Sequence, residues 1–97
     1  KIPSVEQIFK GNCAEVPVRP QILFALSAKF VPYAEKHHGL EELSNAIGYA
    51  SRLPFEVRDK IFSDFLQIKK IRKQLKNSQI YNDWFVRSDR DWEDYGL

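Results

Sequence analysis

Arg52, Glu56 and Arg58 crowd around Pro54 in the run Arg52-Leu53-Pro54-Phe55-Glu56-Val57-Arg58. Proline fixes its own φ, has no N–H to donate, and disfavours the α conformation in the residue before it. The run is therefore expected to close one helix at Leu53 and open another at Pro54. Where a helix starts, the first backbone N–H groups lack an intrahelical acceptor and the dipole favours an anion. Arg52 and Arg58 are accordingly the candidate contacts for a phosphate or a partner. The plainer reading is a helix junction carrying solvated charges.

A second group of chemically competent residues is the basic patch Lys69, Lys70, Arg72, Lys73 and Lys76, five positive charges within eight residues. Such a cluster suits phosphate contact. Ile71 and Leu75 lie four apart inside it, which predicts a helix with one buried face and one basic face. A solvated basic face, or one paired with the acidic C-terminal segment, is the first reading, and a nucleic-acid surface is the alternative.

Catalytic chemistry finds less to work with. The chain has serines, scattered carboxylates and two histidines, but no nucleophile elbow, Gly-rich phosphate loop or spaced metal motif. Cys13 with His37 or His38 has the residue types of a thiol–base pair, yet the spacing does nothing to bring them together. Adjacent histidines point in different directions on any regular element and have no third ligand nearby, so no metal site is expected. His37-His38-Gly39 reads instead as a turn at a solvated helix end, where histidine suits the dipole. The chain alone is expected to be non-catalytic and to hold no cofactor of its own.

The bulk numbers set the frame in which these residues must be positioned. A chain of 97 residues, 43% hydrophobic and 13% aromatic, is enough for one domain with one modest core. Its net charge of +2 is too small to argue for nucleic acid by itself, so the distribution of charge matters more than the total. A single cysteine rules out an internal disulfide or a multi-thiolate zinc site, and fits a reducing, intracellular and cytoplasmic setting. No apolar run is long enough to cross a bilayer or to form a signal peptide, so a soluble protein with no membrane partner is expected. The sequence begins at Lys1 and contains no methionine, which suggests a processed chain or a fragment of a larger one.

Helical spacing dominates the chain. Ser4 and Gln7 form a capping pattern for a short helix to about Lys10, ended by Gly11-Asn12. Cys13 to Pro20 contains two prolines and predicts an extended connection. From Pro20, Ile22, Leu23, Leu26, Phe30 and Tyr33 share one face of a second helix, which Pro32 should kink or end near Lys29 to Val31. Leu40, Leu43, Ile47 and Ala50 define a third helix, with Glu41, Glu42 and Asn45 on its other side. Gly48 inside that helix suggests a neighbouring backbone in close approach. After Pro54, Val57, Ile61, Phe62, Phe65, Leu66 and Ile68 form a stripe broad enough for a central helix, continued or restarted through the basic run. Ser78 can cap a last helix containing Ile80, Tyr81, Trp84 and Phe85.

The order of these pieces resembles a known family. Gly11 to Pro17, the Ile22-Leu23-Phe24-Ala25-Leu26 helix, Arg52-Leu53-Pro54-Phe55-Glu56 and the aromatic segment around Trp84 together resemble the C-terminal helical lid of MoxR-like AAA+ ATPases, across most of the chain. The resemblance implies that a basic residue at a helix start reaches the nucleotide phosphates of an adjoining domain. Arg52 is the match and Arg58 the alternative. ATP would then belong to that adjoining domain, because this chain has no Walker loops.

The expectation is an all-α helical bundle of about five helices, with residues 1–87 as the helical domain and 88–97 as an acidic aromatic tail. The third and fourth helices should pair around Pro54, with Leu43, Ile47, Phe62 and Phe65 in one core. The expected function is a lid-like or accessory interaction domain of a larger ATPase or assembly, contacting a protein partner or the remainder of its parent chain. Trp92 and Tyr95, set among Asp89, Asp91, Glu93 and Asp94, are the candidate tail contacts. The alternative is a nucleic-acid-binding module that uses residues 69–76.

Overall fold

A computed structural model describes residues 3–76. It contains six helices in that span: α1 Val5–Phe9, α2 Pro20–Ser27, α3 Phe30–Lys36, α4 Leu40–Ala50, α5 Phe55–Leu66 and α6 Lys69–Lys76. Among the described residues there is no strand, and the fold is all-α as expected. The helix expected after Ser78 and the tail contacts Trp92 and Tyr95 lie outside the described residues.

The first helix begins and ends as its sequence dictates. Ser4 Oγ accepts from the Glu6 N–H at 3.2 Å, and Gln7 Oε1 accepts from the Ser4 N–H at 3.2 Å. At the other end Gly11 has φ +78°, the left-handed conformation. The Asn12 N–H then reaches the Gln7 carbonyl at 2.8 Å and the Gly11 N–H reaches Ile8 at 3.0 Å, which together satisfy the last carbonyls of the helix. The chain leaves as the extended connection expected up to Pro20, and Pro20 opens α2 in its first turn.

The second expected helix is two. α2 ends at Ser27, whose Oγ donates to the Phe24 carbonyl at 3.0 Å, and α3 begins at Phe30. Pro32 therefore does not end a helix but occupies the first turn of a new one. The physical reason is that the N–H groups of a first turn have no intrahelical acceptor, so a residue lacking one costs nothing there. Leu23 and Leu26 of α2 and Phe30 of α3 all reach the core.

Pro54 separates α4 from α5 and takes the capping position, with φ −53° and ψ 147°, and its carbonyl accepts from the Arg58 N–H at 3.0 Å. α5 packs against α2, α3, α4 and α6 and is the central helix. Leu43, Ile47, Phe62 and Phe65 are all buried in one cluster, so the α4–α5 pairing around Pro54 stands. Phe9 joins the same core with its ring centroid 5.6 Å from Phe30 and 4.7 Å from Tyr33. The basic run is a separate helix after the break at Gln67-Ile68, and Ile71 and Leu75 are its fully buried face. Among the described residues no helix is long and apolar enough to cross a membrane.

Candidate functional site

α4 and the connection after α1 enclose a cleft of about 470 Å³, and Arg52 lies on its wall. Three hydrogen bonds set the geometry. The Asn45 amide donates to the Phe9 carbonyl at 2.9 Å, fixing α4 against the end of α1. One turn later the Tyr49 hydroxyl donates to the Glu15 carbonyl, and Arg52 Nη1 donates to the Ala14 carbonyl at 3.2 Å. Asn45, Tyr49 and Arg52 recur at helical spacing, so one side of α4 and its C-terminal extension grips the end of α1 and the extended connection by their backbone carbonyls. Asn45 is thus half-buried and bonded to the neighbouring helix.

Gly48 faces this cleft, and its environment corrects the expectation of a close-packed backbone. A Cβ built at Gly48 would meet nothing within 4 Å. The absent side chain leaves space, where close packing would have required it to be absent. Ser44 and Cys13 also line the cleft, and Arg52 is the one charged side chain on its wall. Burial, with the neighbouring Cys13 and Glu15 adding to it against an opposing effect of Arg52, pushes the Tyr49 hydroxyl up to about 12. Tyr49 therefore remains a hydrogen-bond donor throughout the neutral range.

Arg58 stands in a different setting from Arg52. Its guanidinium lies 4.9 Å from the centre of the Phe55 ring, a cation–π pair in the first turn of α5. Phe55 is 46% exposed despite its size. Phe24 on α2 is 59% exposed, and Val18 just before that helix is 91% exposed. The two arginines flanking Pro54 thus do different things, one holding backbone and the other presenting an aromatic ring.

The basic patch also divides. Arg72 is half-buried and donates from Nη1 to the Leu66 carbonyl at 3.3 Å, capping the end of α5. Lys69, Lys70, Lys73 and Lys76 are exposed. The ion pairs Lys10–Glu6, His37–Glu42 and Lys60–Asp64 all lie away from α6.

The histidines are not equivalent. His37 stacks on Tyr33 with centroids 4.2 Å apart and places Nδ1 3.4 Å from Glu42. His38 is half-buried, and its Nδ1 is shielded from solvent without a hydrogen-bond partner. This half corrects the reading of a solvated helix end. His38 lines a cleft with Lys70, Lys73 and Gln74, whereas Cys13 lines the cleft beside Gly48, so the thiol–base pair is not assembled. No group of three His, Cys, Asp or Glu side chains gathers to hold a metal among the described residues.

No family model, curated protein or solved structure matches this chain. Nothing in those comparisons links it to MoxR-like lid domains.

Proposed function

We propose that this chain is a helical accessory interaction domain that acts by docking to a protein partner and carries out no chemistry of its own. The observation that carries this reading is the Arg58 guanidinium over the exposed Phe55 ring. Arginine and large aromatic residues dominate the energetics of protein interfaces, because they bury much area while keeping a directional charge or ring. Pairing them in the first turn of the central helix fixes both in place before a partner arrives, which lowers the ordering cost of docking. In the lid-like form of this reading, Arg52 faces a nucleotide phosphate on an adjoining domain of a larger ATPase. Its hydrogen bond to Ala14 leaves further guanidinium donors for that contact.

A second reading, nucleic-acid binding through residues 69–76, is favoured by a separate observation. Lys69, Lys70, Lys73 and Lys76 are exposed on α6 without an ion pair among the described residues. Photo-crosslinking from positions 55 and 73 in living cells separates the two readings. A defined protein adduct from position 55 supports docking, and nucleic-acid adducts from position 73 support the second reading.

A further inference from the structure

The connection from α1 to α2 contains Val16-Pro17-Val18-Arg19-Pro20, in which two prolines stand three positions apart. A polyproline II helix has three residues per turn and rises about 3.1 Å per residue, so prolines at this spacing share one edge, about 9 Å apart. Proline fixes φ near the value this helix needs and biases the residue before it towards extended backbone. Arg19 accordingly has φ −81° and ψ 126°, close to polyproline II. Pro20 is also the first residue of α2. The φ of proline is nearly the same in both conformations, so α2 takes over only from the ψ of Pro20 onwards and the ring keeps its place on the shared edge.

The segment is displayed outwards. Val18 is 91% exposed, more than any other large hydrophobic side chain among the described residues. Arg19 and Pro20 are exposed beside it, and Pro17 is half-buried. Val16 packs against the core, which leaves the edge of Pro17 and Pro20 and the edge of Val18 to a partner. Both flanks are fixed. Tyr49 and Arg52 hold the Glu15 and Ala14 carbonyls on one side, and Leu23 and Leu26 of α2 are buried on the other. A segment already extended and anchored at both ends loses little conformational freedom on docking.

Extended segments with this proline spacing dock in grooves lined by aromatic side chains, where rings pack on the prolines and the preformed backbone limits the entropy lost. We propose that Pro17-Val18-Arg19-Pro20 is a docking segment for an aromatic-lined, proline-recognising groove on a partner protein. Pro17 and Pro20 seat between its rings, Val18 packs on its wall, and the positive charge of Arg19 selects a groove with carboxylates at its rim. This surface is separate from Phe55 and Arg58, and docking here does not depend on docking there.

The test is a titration of the full 97-residue chain with a panel of isolated Src-homology-3 and WW domains, read by NMR from the amide resonances of the chain. Pro17→Ala, Pro20→Ala, Val18→Glu and Phe55→Ala are titrated alongside. Circular dichroism confirms that each variant folds, and Val18→Glu carries the least risk to the fold, because a side chain 91% exposed leaves the core untouched. The expected result is saturable binding by at least one domain, which moves the Val18 and Arg19 amides. Each of the first three variants weakens it about tenfold or more, and Phe55→Ala by no more than about twofold. Binding by no domain of the panel overturns the proposal. So does binding that survives Val18→Glu and either proline variant, or that Phe55→Ala weakens as much as they do.

Discussion

Arg52 Nη1 holds the Ala14 carbonyl at 3.2 Å across 38 residues of sequence. The side chain that the sequence marks for a phosphate is therefore also a brace between the end of α4 and the extended connection. The Tyr49 bond to Glu15 lies beside it, so the connection is tied down twice in succession. This explains how a segment that carries Pro17 and no regular structure is positioned against a helical core.

Arg52→Ala should destabilise the fold by about 0.5–1.5 kcal/mol, the ordinary net contribution of one hydrogen bond. Its exposed setting argues for the lower half of that range. Denaturant unfolding measures the change. Arg52→Lys should recover little of it, because an ammonium on a different stem does not reproduce the guanidinium fork. Unchanged stability in Arg52→Ala would show that the brace contributes nothing.

Gly48→Ala should stabilise the domain by about 0.5–1 kcal/mol. Glycine costs about that much relative to alanine inside a helix, and the added methyl meets nothing within 4 Å. Thermal unfolding should move to higher temperature. A fall would mean that the helix needs glycine for packing after all.

These two positions show how far the sequence could be read. Apolar spacing located α4 and α5 and their shared core, because burial of Leu43, Ile47, Phe62 and Phe65 is a periodic property of the chain itself. Pro54 marked their junction because its covalent geometry acts locally. Pro32 was ambiguous for the same reason, since a proline is compatible with both the end of one helix and the first turn of the next. Gly48 misleads because its meaning depends on what lies opposite, and periodicity carries no such information. The Arg52 and Tyr49 bonds to backbone carbonyls were invisible, because a carbonyl acceptor leaves no mark in residue type. His38 did carry a signal, as one of two adjacent histidines before Gly39, but only the packing of α6 separates it from His37.

Tyr49 predicts a specific alkaline transition. Its folded pKa is raised from 10.0 to about 12, so the folded state favours the neutral hydroxyl. That contribution to stability is fully present below the unfolded value of 10.0 and is lost as pH rises towards about 12. Phenolate absorbance should show a late-titrating tyrosine that Tyr49→Phe removes. The same variant should lose about 1 kcal/mol at neutral pH through the missing bond to Glu15. A late titration that survives in Tyr49→Phe would assign the shift to another residue.

Docking through Phe55 and Arg58 is tested most directly by a photo-reactive amino acid placed at position 55 of the full chain and activated in cells. The account predicts a discrete protein adduct at that position. It also predicts that Arg58→Ala weakens the adduct several-fold while leaving the circular dichroism of the chain unchanged, because Arg58 orients the ring without serving the core. The contradicting result is no protein adduct from position 55, with nucleic acid captured instead by the same group placed at position 73.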